Sequence, residues 1–559
     1  MLSNIFEEIK RSPLILIQIV LFSIIFIITF IIIYLAYIKK KIRLKLRDQQ
    51  IIIITLGSCI LISILFNIYF LDFITDDAFI SFRYSKNLAN GYGIVFNPNT
   101  DNPVEGYSNF LWVVLNAIPI LLNIDIVIWF KIFSIILNIF SIIYLYRLGT
   151  RFYSDKVALF CPLLYVLYYP IQLWVVGGLE VPLLLSSMII ALYFMFKEMN
   201  EKNRFPRYSW IFFSINILTR IDSIIFVVGI EGISILYYLY KKDKSILLQR
   251  IISLIIIGTI FSVYFIWRYS FYGYFFPNPY YAKAGTNNLI TQEGLQYVLL
   301  FGVFTFPILI MLVFSIIKIL RSREEKLLKM LLIMVIPIII NVSIVLHLEK
   351  HYAGQGFRFL LPSMPFLILI SCYSFEVLAK NKDLRLNLSI SSINLYLNKF
   401  IPLFACFCLI LYPLTAPLIY VNTTNTDVNN KYYKLANWLK NYNPSNTTVA
   451  FTDMGIIPYY SELYYIDLWG LNDEVLAKNR GNYDYILDQE PEFIFIKENN
   501  LKIIKNITNQ QKFQDNYSIF FTLELKEINQ NLRVFNYNLF IYKINEYSLT
   551  NTSLINIFL

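Results

Sequence analysis

The strongest constraint on this chain is a series of twelve apolar runs, most about twenty residues long. They lie at 13–37, 50–71, 126–146, 157–173, 180–197, 208–220, 223–240, 249–268, 296–319, 328–347, 358–379 and 400–420. A hydrocarbon core about 30 Å thick is crossed by about 20 such residues in a helix. Hydrophobic residues make up 57% of the 559-residue chain and charged residues 15%, with a mean hydropathy of +0.57. One or two soluble cores could not bury that much apolar surface. The composition therefore excludes a cytosolic enzyme, a disordered chain and a disulfide scaffold, and implies a polytopic α-helical membrane protein.

Charge orients the runs. The chain carries 48 Lys/Arg and 37 Asp/Glu, a net +11. Residues 421–559 hold 12 Lys/Arg and 15 Asp/Glu, a net −3, so residues 1–420 carry +14. The run 13–37 is too long for a signal-peptide core and is followed, not preceded, by Lys39, Lys40, Lys41, Arg43, Lys45 and Arg47. With that cluster in the cytoplasm, alternate threading places the basic groups after 146, 197, 240, 317 and 379 on the same side. About twelve spans follow, provided that 109–124, short and interrupted by Asn116 and Pro119, is an interfacial or re-entrant helix. The expected domains are an extra span and basic loop (1–49), a membrane domain (50–420, first outer loop 72–125) and a C-terminal extracytoplasmic α/β domain (421–559). In the last, strand-like runs occur at 447–452, 464–468, 492–497 and 540–544, behind an amphipathic helix using Tyr433, Leu435, Trp438 and Leu439. Cys59, Cys161, Cys372, Cys406 and Cys408 all fall in apolar runs, so no disulfide framework forms in the tail. No basic, aromatic-interleaved segment suggests nucleic acid. The Asn-X-Ser/Thr sequons follow from an Asn-rich tail.

The chemistry concentrates in 75–112, TDDAFISFRYSKNLANGYGIVFNPNTDNPVEGYSNFLW. Asp76 and Asp77 come directly after the second span, where carboxylates are costly without a partner or a task. One can accept a proton from an attacking hydroxyl while the other holds a metal ion or the hydroxyl. The plainer reading is a helix N-cap with a surface Asp. Arg83, Arg268, Lys283 and Arg358 fall on outward segments, where fixed cations suit a phosphate leaving group; snorkelling is the alternative. Arg220 with Asp222 makes an ion pair or a site contact, and Glu180 caps a span or faces a cavity. His347 and His351 share a helix face around Glu349, but HLEKH is not a metal motif and lacks a third ligand. Aromatic belts account for most of the interfacial Tyr and Trp residues.

The order of these blocks resembles the GT-C glycosyltransferases, and more narrowly the terminal arabinofuranosyltransferase family that acts on mycobacterial cell-wall arabinan. The resemblance rests on Asp76-Asp77-Ala-Phe-Ile, Arg83-Tyr84, Asn87-Leu-Ala-x-Gly-x-Gly93, Phe96-Asn-Pro and Glu105-Gly-Tyr-Ser-Asn109-Phe-Leu-Trp. It continues at Gly178-Leu-Glu180, Leu218-Thr-Arg220-Ile-Asp222, Trp267-Arg268, Pro277-Asn278, Tyr281-Ala-Lys283-Ala-Gly285 and Arg358-Phe-Leu-Leu-Pro362. In the tail it includes Asp453-Met-Gly-Ile-Ile-Pro-Tyr-Tyr460 and Ile466-Asp-Leu-Trp-Gly-Leu-Asn-Asp473. Family members often carry Gly-Asp ahead of the Arg-Phe-Leu block, roughly where this chain has His351-Tyr352.

The resemblance implies a polyprenyl-phosphate sugar donor, a cell-surface glycan or glycolipid acceptor, transfer on the outer face, and Asp76 or Asp77 as catalytic base or acceptor-positioning carboxylate. Arg83, Glu105, Tyr107, Asn109, Glu180, Arg220, Asp222, Arg268, Asn278, Tyr281, Lys283, His351 and Arg358 are the expected substrate contacts. Any divalent cation would fall to Asp77 or Glu349, and no other cofactor is expected. The rival class is a lipid-linked glycan flippase or transporter, which would show internal repeats and polar residues at the midplane. An accessory subunit with a degenerate site is a third.

Overall fold

The computed structural model describes residues 48–100, 102–201, 203–283, 290–347, 356–380, 417–442, 447–479, 482–498, 506–528 and 534–545. Among the described residues, seven helices are long and apolar enough to cross a membrane: Gln49–Tyr69, Ile126–Gly149, Val181–Glu201, Ser223–Lys241, Lys244–Tyr272, Glu325–His347 and Arg358–Val377. Two further pairs pass the same test but are bent, by 63° between Asp155–Leu167 and Tyr169–Val175 and by 82° between Gln292–Phe304 and Phe306–Ser322. Each second half opens with a proline, Pro170 or Pro307, whose ring cannot continue the preceding helix. The run 208–220 forms only the 11-residue helix Ser209–Thr219. The run 13–37, and 400–416 of the last run, lie outside the described residues.

Phe110–Leu121 has 12 residues. At 1.5 Å per residue it spans about 18 Å, short of a bilayer core.

Two helices form the centre of the bundle. In Val181–Glu201 and in Arg358–Val377, 83% of the most apolar window is buried by protein, against 28% in Lys244–Tyr272. Residues such as Ile255, Val263 and Ile266 on the latter are exposed, an apolar surface suited to lipid. Inside the bundle many polar side chains pair with one another, which offsets the cost of burying them away from water. Ser63 Oγ and Asn138 Nδ2 donate to Gln172 Oε1 at 2.8 and 3.0 Å. Arg250, fully buried, bridges Glu198 at 2.8 Å and Glu231 at 3.3 Å. Glu198 Oε1 also accepts the N–H groups of Arg207, Tyr208 and Ser209, capping the helix that follows.

The C-terminal part forms a five-stranded mixed sheet, β1 Thr448–Phe451, β2 Tyr464–Asp467, β3 Phe493–Lys497, β4 Tyr517–Ile528 and β5 Val534–Ile544, in the order β2-β1-β3-β5-β4. β1 is parallel to β2 and β3, while β5 runs antiparallel to β3 and β4. Alternation decides its two faces. Val449, Phe451, Phe493 and Phe495 join the core shared with the membrane helices, whereas Ala450, Ile466, Ile494 and Ile496 build a separate small core with Ile486, Leu487 and Phe513. The helix Pro417–Tyr442 lies on the first face, burying Leu435, Trp438 and Leu439 as its periodicity predicts. Four of the five strands coincide with the apolar runs of the sequence; β4 is additional.

Candidate active site

Asp76 and Asp77 open the helix Asp76–Ala89, and the helix emerges directly from the turn after Tyr69. Three other segments meet them there. The Gly177-Gly178-Leu179-Glu180 turn packs beneath: Thr75 N–H donates to Gly177 O at 3.2 Å, and a Cβ on Gly178, at φ +91°, would stand 2.6 Å from Ala78 Cβ. Only glycine fits that conformation and that contact. Arg358, at the start of a 3-10 turn, reaches Asp77 Oδ2 with Nη1 at 3.2 Å and lies over the rings of Trp174 and Phe359.

The third segment comes from the sheet domain. The Asp76 carboxylate accepts the backbone N–H of Ile456 at Oδ1 (2.8 Å) and of Gly455 at Oδ2 (3.1 Å). Asp453, two residues earlier, faces the same carboxylate. It is ion-paired to Lys497 at the end of β3 and accepts the Tyr432 hydroxyl at 2.8 Å. Burial, with Asp453 beside it, pushes Asp76 up to about 7, although the Ile456 N–H opposes this. Asp77 is different, with 57% of its side chain exposed. The pair of adjacent carboxylates is therefore split: Asp76 is held and half-buried with a proton affinity near neutrality, and Asp77 stands in solvent against Arg358.

Gly455 is fixed by this contact. A Cβ there would come within 2.0 Å of the Asp76 carbonyl oxygen and 2.5 Å of its Oδ1. Gly455→Ala should separate the sheet domain from the loop, seen as faster limited proteolysis after residue 442 and loss of activity together. Unchanged proteolysis would refute the steric argument.

A second polar cluster forms around Glu180, at the end of the Gly177–Glu180 turn. Arg220 bonds Asp222 through two nitrogens, at 2.9 and 2.7 Å, and Glu180 at 3.0 Å. Glu180 also accepts Asn109 Nδ2 at 2.9 Å, and Asn109 bonds Ser81. The structure thus gathers Asp76, Asp77, Asn109, Glu180, Arg220, Asp222 and Arg358 around one end of the bundle.

Other candidates go elsewhere. Arg83 is fully buried and spends its guanidinium on the carbonyls of Phe96, Pro458 and Leu463 and on Asn97 Oδ1, so it ties the first loop to the sheet domain and offers no phosphate contact. Arg268 is likewise wholly buried, against Glu105 at 2.5 Å and the carbonyls of Tyr274 and Phe275. Both arginines and Glu105 are thus engaged within the protein here, and burial pushes Glu105 up to about 7 against the pull of Arg268. Tyr107 is buried with its hydroxyl 3.1 Å from that of Tyr272. Asn278 donates to the carbonyls of Gly470, Leu471 and Asp473, clasping the sheet domain. The Tyr281 hydroxyl accepts the Phe276 N–H at 3.4 Å. These three serve packing in this structure. The Lys283 side chain, His351 and Glu349 lie outside the described residues. Among the described residues no three His, Cys, Asp or Glu side chains converge as metal ligands.

Asp453 and Lys497 are the partners that sequence reasoning missed. Asp453 stands in a block that carries the family resemblance, and Lys497 reads as an ordinary flanking charge of an apolar strand.

The comparisons agree with this architecture. ArnT from Cupriavidus metallidurans bound to undecaprenyl phosphate superposes with a TM-score of 0.55 at 11% identity, covering 89% of this chain and 99% of that one. The apo state of the same protein gives 0.53 at 12% identity, covering 86% and 97%. The oligosaccharyltransferase of Archaeoglobus fulgidus tethered with an acceptor peptide containing the NVT sequon gives 0.51 at 12% identity, covering 86% and 74%. A family model described as a domain of unknown function (DUF8728) matches residues 421–542. No curated protein matches the sequence. Apolar helices, sheet domain and neighbours together show a multi-pass membrane protein with the GT-C fold.

Proposed function

We propose that this chain is a glycosyltransferase that moves a sugar from a polyprenyl-phosphate donor to a hydroxyl of a cell-surface glycan or glycolipid. Residues 421–559 and the first loop then lie on the outer face of the membrane, as the basic ends of the helices on the other side favour. The observation that carries the reading is the division of labour between Asp76 and Asp77. A carboxylate held by two amides with a proton affinity near 7 suits a general base at neutral pH. Asp76 takes the proton of the acceptor hydroxyl, whose oxygen attacks the anomeric carbon. The bond from that carbon to phosphate oxygen breaks, and its electron pair leaves with the polyprenyl phosphate.

Arg358 is the cation placed to receive the phosphate. It is 17% exposed, lies on the rim next to Asp77, and can leave Asp77 for the singly charged phosphodiester of the donor, whose negative charge grows as the polyprenyl phosphate leaves. The partly exposed Arg220 keeps three carboxylate contacts, so with Glu180, Asp222 and Asn109 it better fits binding of sugar hydroxyls. The neighbour bound to undecaprenyl phosphate supports a lipid-linked donor in the same fold. The sequence blocks favour arabinofuranose as the sugar.

Mass spectrometry of surface glycan from a deletion strain tests the reading: one sugar residue should be missing, and an unchanged glycan would overturn it. Arg358→Gln should raise the KM for a polyprenyl-phosphate sugar about tenfold or more while kcat falls less, since a lost charge-assisted contact to phosphate is worth about 1.5–3 kcal/mol. An unchanged KM would remove Arg358 from the donor site.

A further inference from the structure

The sheet domain brings charged side chains as well as backbone amides near Asp76. Its Asp453 and Lys497 form an ion pair with 18% and 10% of the side chains exposed, beside a half-buried third charged group. We propose that the Asp453–Lys497 pair of the C-terminal domain sets the charge and orientation of Asp76, so that both are positioning residues of the transfer reaction. This deepens the reading of Asp76 as base and rests on it.

Two observations support the assignment. First, the contact is built to a close tolerance. The loop between β1 and the helix Ile456–Ser461 turns at Gly455, where no larger residue fits, and presents two N–H groups to the Asp76 carboxylate while aligning Asp453 on the same side. Second, the charge arithmetic requires Lys497. Two carboxylates brought together away from water repel, and one of them takes up a proton unless a cation compensates. Lys497 does this from β3, and Tyr432 steadies Asp453 from the helix Pro417–Tyr442. The groups facing Asp76 are Asp77 on its own helix, Arg358 beyond Asp77, Asp453 and Lys497 from the sheet domain, and the phenols of Tyr432 and Tyr433. Of these, Asp453 and Lys497 act with opposite sign, so removing each in turn moves Asp76 in opposite directions.

The sign follows from the charges. Asp453→Asn removes a neighbouring negative charge and leaves Lys497 to attract the Asp76 carboxylate, which lowers its proton affinity. Lys497→Met leaves two uncompensated carboxylates, which raises it. A purely structural pair would move both variants the same way or neither.

The experiment uses the full chain in lipid nanodiscs. Protonated Asp76 is labelled with a hydrophobic carbodiimide from pH 5 to 9 and quantified by peptide mass spectrometry. Transfer from a panel of radiolabelled polyprenyl-phosphate sugars is followed in parallel. The labelling midpoint should fall in Asp453→Asn and rise in Lys497→Met, by about one pH unit each, with Lys497→Arg close to the unsubstituted chain. The acid limb of transfer should move with it. Asp453→Asn is isosteric and Lys497→Arg retains charge, so at least one arm stays folded. Midpoints that do not move, or move in the same direction, overturn the proposal. Opposite midpoint shifts without transfer from any donor support the charge-setting role and remove the transferase reading instead.

Discussion

Asp76→Asn is expected to lower the transfer rate at neutral pH by about 10²- to 10⁴-fold, the usual contribution of a positioned general base. The fold should survive. Asn Oδ1 can still accept the Ile456 N–H, but its Nδ2 meets the Gly455 N–H donor to donor, a loss of about 1–3 kcal/mol. Asp77→Asn removes an exposed charge from Arg358 and should change donor binding more than the chemical step. The pH profile carries the sign. A base works only when deprotonated, so transfer should rise with pH through an apparent value near 7, far above an ordinary carboxylate. The comparison is a stopped-time assay of the two variants and the unsubstituted chain between pH 5 and 9. An acid limb near 4 would remove Asp76 from the base role.

The second large effect concerns stability. Arg268→Ala leaves Glu105 buried and unpaired, which costs about 3–5 kcal/mol. Glu105→Gln with Arg268→Met removes both charges and should recover most of the loss. The pH dependence again has a definite sign. Without Arg268, the Glu105 proton affinity rises further above its unfolded value, so the variant keeps stability at low pH and loses it as pH rises through the folded pKa. Thermal unfolding in detergent should show a larger deficit at pH 8 than at pH 6. A phosphate-binding Arg268 would behave differently, with unfolding unchanged and only the donor KM raised.

Arg268 shows what a sequence can and cannot tell. Arg268 and Lys283 both stand out as cations on segments that the charge pattern expects to face outward, and that pattern says nothing about burial. Glu105, which neutralises Arg268, is more than 160 residues away. Arg83 is equally conspicuous and equally unavailable, because its partners are backbone carbonyls that no side-chain pattern announces. The helices were easier. Runs of apolar residues near bilayer length become helices wherever the backbone must satisfy itself in lipid, and Pro170 and Pro307 account for both bends. In the sheet domain, β1, β2, β3 and β5 follow short apolar runs. β4 alternates cleanly only over Phe521, Leu523 and Leu525, because Phe520 breaks the pattern at a register irregularity and Ile519 is exposed. The Asp76–Asp77 pair was legible because carboxylates after a span are costly. Its environment was not, since Asp453 and Lys497 reach it only through the docking of a domain that begins hundreds of residues later.

The most direct test of the central claim is transfer in proteoliposomes holding the full chain, a labelled polyprenyl-phosphate sugar and isolated surface glycan, with the glycosidic product and the released polyprenyl phosphate counted in the same sample. Equal amounts of both products are expected from the unsubstituted chain and almost none from Asp76→Asn. Donor that crosses the bilayer without forming a glycosidic bond, or equal product from Asp76→Asn and the unsubstituted chain, would contradict it.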